Sequence, residues 1–133
     1  IGFSAFRYCR SLQSVTIGDS VTSIGNYAFN ECSALQSVTI GDSVTSIGRL
    51  AFRGCSAVHN VTIGSNESIS ISDYAFQSCT SLTSITFNTI NEVNIDTGAF
   101  LDCEKLEYLY FNKSMTTLSG SLPAQFAPNY YCY

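Results

Sequence analysis

Ser37 to Cys55 reads SVTIGDSVTSIGRLAFRGC, and Ser14 to Cys32, starting 23 residues earlier, reads SVTIGDSVTSIGNYAFNEC. A chain that copies itself at a fixed interval is built from repeats, and a unit this small cannot bury its apolar side alone. The units must therefore stack on one another.

Outward from that block, Ala-Phe-x-x-Cys recurs at Ala5-Phe6/Cys9, Ala28-Phe29/Cys32, Ala51-Phe52/Cys55, Ala75-Phe76/Cys79 and Ala99-Phe100/Cys103, with cysteine steps of 23, 23, 24 and 24 residues. After each cysteine the apolar spacing is constant: Leu12, Val15, Ile17 in the first unit, Leu35, Val38, Ile40 in the second and Leu106, Leu109, Phe111 in the fifth. Leu-x-x-Val-x-Ile ends in period-2 alternation, which reads as a short strand with one buried face. Gly18-Asp19-Ser20 and Gly41-Asp42-Ser43 supply turn chemistry, because Gly accepts positive φ and Asp bonds nearby amides. A second apolar pair follows (Val21 and Ile24, or Val44 and Ile47), and Ala28, Phe29 and Cys32 then share one side of a single helical turn.

The pattern predicts an α/β repeat: a right-handed solenoid with a parallel strand ladder on one face, short second strands and helical turns. Residues 1–111 are read as five stacked 23–24-residue repeats, and 112–133, interrupted by Pro123 and Pro128, as an irregular C-terminal cap or truncated repeat. Ile63 to Ile71 and Phe87 to Ile95 span 8 residues where Ile17 to Ile24 spans 7, so the third and fourth units carry one extra residue in a turn. Surface turns tolerate such insertions.

SVTIGDSVTSIGNYAFNEC followed by Leu35 resembles the BspA-like (Treponema pallidum-type) leucine-rich repeats, whose hallmark is Ile-Gly-x-x-Ala-Phe-x-x-Cys-x-x-Leu-x-x-Val-x-Ile. The resemblance covers about residues 1–111, with departures at Ser72 and Asp96 for the Ile-Gly glycine and at Val58 for the first Leu. It implies a leucine-rich-repeat fold. It also implies a place among mostly secreted or cell-surface proteins of bacteria and some parasitic protists, several of which are thought to bind host or bacterial surface molecules.

The chain has 133 residues, 12% charged, with a formal net charge of -4. That balance speaks against a nucleic-acid partner, which is held by Lys and Arg through counterion release. No run approaches the roughly 18 apolar residues of a membrane span, so no direct membrane insertion is expected. Ile1 opens neither a signal peptide nor a fresh repeat, and the expectation is a fragment of a longer protein whose uncapped ends leave room for self-association.

Five of the six cysteines occupy one repeat slot, on the order of 5 Å apart if the units stack as strands do. They read as a ladder of buried thiols acting as small hydrophobes, with a Cys103–Cys132 disulfide as the other reading. No Cys-x-x-Cys pair or Cys/His cluster points to a metal, and no cofactor is expected. His59 takes the slot of Gln13, Gln36, Thr83 and Glu107, a solvated position with no nucleophile or carboxylate in its pattern. Asp19 and Asp42 recur because a turn recurs, and Asp102, Glu104 and Glu107 surround Lys105 on a solvated face. Arg7, Arg49 and Arg53 fall on the helical-turn side as solvated groups, a weak anion contact being the alternative. Asn60, Asn66 and Asn112 begin glycosylation sequons, which arise easily in so Ser/Thr-rich a chain.

If Val15 and Ile17 point inward, their neighbours point out. The outward pairs are Ser14/Thr16, Ser37/Thr39, Asn60/Thr62, Ser84/Thr86 and Tyr108/Tyr110, with Tyr130, Tyr131 and Tyr133 following in the tail. Structurally, Thr suits strands and tyrosines cover an exposed core edge. Functionally, the same rows offer hydrogen bonds and ring faces to a ligand. The expected function is a non-catalytic binding or adhesion module of a secreted or cell-surface protein, presenting a concave strand face to a protein or glycan on a host or neighbouring cell. A structural spacer between domains and an ice-binding surface are the alternatives; no enzyme is expected.

Overall fold

The computed structural model describes residues 1–122 and the backbone of 130–132. The first strand of each unit, β1 (Ser14–Ile17), β3 (Ser37–Ile40), β5 (Asn60–Ile63), β7 (Ser84–Phe87) and β9 (Tyr108–Phe111), joins β11 (Tyr130–Cys132) in one six-stranded parallel sheet in that order. The second strands, β2 (Ser23–Ile24), β4 (Ser46–Ile47), β6 (Ser68–Ile71), β8 (Glu92–Ile95) and β10 (Thr117–Gly120), form a five-stranded parallel sheet. The chain is thus a parallel-strand solenoid in which each coil lies on the one before.

Register follows from the repeat. Val15, Val38, Val61, Ile85 and Leu109 pair in one line, and Ile17, Ile40, Ile63, Phe87 and Phe111 in the next. All of these are buried except Val15, on the first coil, which is half-buried. On the third side of the coil Phe6, Phe29, Phe52, Phe76 and Phe100 stack in a column, with successive centroids 5.1, 5.0, 5.1 and 5.7 Å apart. Parallel offset rings at that separation add to the gain from burial alone.

The helical turn expected at Ala-Phe-x-x-Cys is absent: the described residues contain no helix, so the fold is a β-solenoid and not an α/β repeat. The reason lies in where the N–H groups go. Asn30, Cys32 and Leu35 donate within their own coil, to the carbonyls of Tyr27, Phe29 and Cys32 at 3.1, 3.3 and 3.1 Å. Tyr27, Phe29 and Glu31 donate instead to Arg49, Ala51 and Arg53 of the next coil, at 3.1, 2.7 and 2.7 Å. A helix uses these N–H groups within its own turns. Positive φ at Tyr27 (60°) and Glu31 (61°), four residues apart, also interrupts any right-handed helix, and the same two slots are left-handed at Leu50 and Gly54 and at Gly98 and Asp102. The segment is a chain of β-turns zipped to its neighbours.

The extra residue in the longer units extends the second strand, since β6 and β8 have 4 residues where β2 and β4 have 2. Beside it a polar pair is buried. Asn66 Nδ2 donates to the Val44 carbonyl at 2.7 Å, and Thr89 Oγ1 donates to Asn66 Oδ1 at 2.7 Å.

The first coil is open on its outer side, with Phe3 70% and Phe6 43% exposed where Phe29 and Phe52 are 0% exposed. In the 112–133 segment β10 extends the second sheet and the backbone of β11 extends the first, pairing Tyr131 with Tyr110. Pro123, Pro128 and the side chains of Tyr130, Tyr131, Cys132 and Tyr133 lie outside the described residues. Among the described residues, no helix is long and apolar enough to cross a membrane.

Candidate functional site

The strands of the first sheet place all ten predicted face residues in two straight rows. Ser14, Ser37, Asn60, Ser84 and Tyr108 share one register line, and Thr16, Thr39, Thr62, Thr86 and Tyr110 share the other. Their β-branched and aromatic inward neighbours fix the alternation: slipping a strand by one residue would expose Val38 and Ile40 and bury Ser37 and Thr39. Ser14, Thr16, Ser37, Thr39, Asn60 and Tyr108 are exposed; Thr62, Ser84, Thr86 and Tyr110 are half-buried. Ser84 Oγ donates to Asn60 Oδ1 at 2.8 Å. The Tyr108 and Tyr110 rings stand nearly parallel, with centroids 6.0 Å apart, at the far end of the rows.

The cysteine column is an internal feature. Cys32, Cys55, Cys79 and Cys103 are buried free thiols, while Cys9, on the open first coil, is exposed. Each buried thiol donates to the phenylalanine carbonyl of the preceding coil: Cys32 to Phe6 at 3.1 Å, Cys55 to Phe29 and Cys79 to Phe52 at 3.2 Å, and Cys103 to Phe76 at 3.0 Å. Burial pushes the Cys32 thiol up to about 11 and raises Cys55 and Cys79 further. The alternative of a Cys103–Cys132 disulfide is not seen from the Cys103 side, where the thiol is free, and Cys132's side chain lies outside the described residues.

His59 is exposed on the approach to β5, and among the described residues only its backbone is engaged, its carbonyl accepting from Thr83 Oγ1 at 3.0 Å. The repeated Asp residues cap neighbouring turns: Asp19 Oδ1 accepts the Asp42 N–H at 3.1 Å, and Asp42 Oδ1 accepts the Ser65 N–H at 2.8 Å. Among the described residues no three His, Cys, Asp or Glu side chains converge. Of the sequon asparagines, Asn66 is buried and doubly bonded, so a glycan cannot reach it in the folded chain, whereas Asn60 is exposed.

Two features were not visible in the sequence. On the turn side Arg7 lies over the rings of Tyr8 and Tyr27 at 4.7 and 5.0 Å, and Arg49 lies over Tyr74 at 5.7 Å. Arg53 pairs with Glu31 of the coil before it at 3.0 Å. These arginines are therefore partnered rather than simply solvated, and the only hint was Tyr27 and Tyr74 sharing a repeat slot. The second feature is a cavity of about 860 Å³ at the fifth turn, lined in part by Tyr74, Gly98, Phe100, Leu101 and Leu106.

Comparison with known proteins places the chain. The family described as BspA type leucine rich repeat region matches residues 1–124 in 6 copies. A T. pallidum leucine-rich repeat protein of known structure is 23% identical with a TM-score of 0.67, covering 99% of this chain and 65% of its own. A leucine-rich repeat protein from Bacteroides ovatus ATCC 8483 is 27% identical with a TM-score of 0.53, covering 99% of this chain and 42% of its own. A leucine rich cell surface protein from Faecalibacterium prausnitzii A2-165 is 28% identical with a TM-score of 0.44, over 84% of this chain and 42% of its own. The chain thus spans less than two thirds of the length of each. No curated protein matches it. With that match running through nearly all of its coils, the chain belongs to the BspA-type leucine-rich repeat family.

Proposed function

We propose that this chain is a non-catalytic binding or adhesion module of a secreted or cell-surface protein, and that the outer face of β1, β3, β5, β7 and β9 receives a protein or glycan ligand. The observation that supports this reading is the contrast between inward and outward positions. Inward residues are near-copies from coil to coil, as stacking demands, while the outward rows change from Ser and Thr to Asn60 and then to Tyr108 and Tyr110. Solenoids use extended faces of this kind for binding. The family membership supports the surface location.

The test is an immobilised panel of glycans and soluble proteins probed with wild type and with Tyr108→Ala/Tyr110→Ala. The proposal expects a partner retained by wild type and lost by the double variant. Binding to nothing on the panel would favour a spacer, a role to which the regularity of the two strand ladders is equally suited.

A further inference from the structure

We infer that the ligand of this face is an uncharged polysaccharide lying across the strands, an inference that rests on the binding role proposed above and narrows it to one ligand chemistry. The first observation is charge. The chain carries 10 acidic and 6 basic residues, yet none falls within β1, β3, β5, β7 or β9. The second sheet is different, since β8 opens on Glu92 and two of its strands are only two residues long. Immediately beside the first sheet the charged neighbour is Glu107, and the arginines lie on the turn side of the coil. A polyanion or a charged protein surface finds no counter-charge on this face.

The second observation is unused hydrogen-bonding capacity. The hydroxyls of Ser14, Thr16, Ser37, Thr39, Thr62 and Thr86 make no hydrogen bond to another protein group among the described residues. Each can act as donor and acceptor, as a sugar hydroxyl can. The third is spacing and the aromatic pair that adjoins the hydroxyls. Strands succeed one another at about 4.8 Å, close to the length of one pyranose residue in an extended chain, so a polysaccharide lying across the strands meets about one strand per sugar. The rows then run up to the paired Tyr108 and Tyr110 rings, and Tyr108 is 38% exposed. Tyrosine offers the C–H face of a sugar a broad rigid contact at low entropic cost.

The probes are galactomannan, xyloglucan and mixed-linkage β-glucan, each cast into native gels, with heparin as the polyanion control. The chain is expected to be retarded by at least one neutral polymer, with little change between low and high salt because no ion pair is formed. Tyr108→Ala/Tyr110→Ala and, separately, Thr62→Lys should each weaken retardation by about tenfold or more while the far-UV circular dichroism stays that of wild type. Retardation by heparin alone, or retardation that the variants leave unchanged, overturns the inference. Failure on all neutral polymers also overturns it, while a protein captured on the panel described above would leave the broader binding role standing.

Discussion

Replacing Phe52 by Ala probes the aromatic column at its most enclosed point. The ring is 0% exposed and lies between Phe29 at 5.0 Å and Phe76 at 5.1 Å. Truncating a core Phe costs about 3–5 kcal/mol, and with two ring pairs lost, each worth about 0.5–1.5 kcal/mol beyond burial, the upper end of that range is expected. Phe6 occupies the same slot in the first coil, is 43% exposed and has one stacked neighbour, Phe29 at 5.1 Å. Its truncation should cost about 1–2 kcal/mol, since roughly half of the ring is never removed from water. Guanidinium unfolding followed by far-UV circular dichroism gives both values from the shift in midpoint at constant slope. Where Phe52→Ala fails to fold, Phe52→Leu against Phe6→Leu makes the same comparison at smaller amplitude. Equal losses at the two positions, or a larger loss at Phe6, would refute coil-on-coil stacking as the source of stability.

Other consequences follow from the same geometry. Asn66→Ala leaves the Val44 carbonyl and the Thr89 hydroxyl buried without partners and should cost about 2–3 kcal/mol, whereas Asn66→Val/Thr89→Val, which removes both sides, should cost much less. Gly98 sits at φ +71°, and a methyl there would meet the Tyr74 ring at 2.6 Å, so Gly98→Ala should lower the unfolding midpoint more than Thr97→Ala, its exposed neighbour. Brief alkylation of the native chain near pH 8 should label Cys9 and spare Cys32, Cys55 and Cys79, read by peptide mass mapping; labelling of Cys55 at the rate of Cys9 would contradict the buried column. The raised thiols also set an alkaline limit. Above pH 9.0 the unfolded Cys32 thiol ionises while the folded one keeps its proton to about 11, so the stability held below pH 9 is lost as pH rises through that window, and Cys32→Val should reduce the slope of midpoint against pH.

The strands and their burial were legible because Val15 and Ile17, or Val38 and Ile40, alternate with hydroxyl residues, and period 2 with one apolar face has a single solution. Which ten side chains face outward was legible for the same reason. The turn side was only half legible. The spacing of Ala28, Phe29 and Cys32 states correctly that they share the interior, but it fits one turn of helix as well as a run of β-turns. What separates the two is that Phe29 and Glu31 donate to the next coil, a fact about neighbours that no single unit contains. The thiol bonds to the preceding coil and the arginine contacts with Tyr27 and Tyr74 were hidden in the same way. Asn66 looked like the start of a sequon; its bond to Thr89, one coil away, is what no single unit shows.

The most direct test of where this protein works is a methyl-resolved NMR titration of the 14.4 kDa chain with a galactomannan oligosaccharide. The account predicts that the threonine methyls of Thr16, Thr39, Thr62 and Thr86 and the ring signals of Tyr108 and Tyr110 shift together, while Thr22 and Thr45 beside the second sheet and Ala51 in the turn column stay in place. Shifts gathered on the turn side around Leu101 and Tyr74, with the threonine rows unmoved, would contradict it.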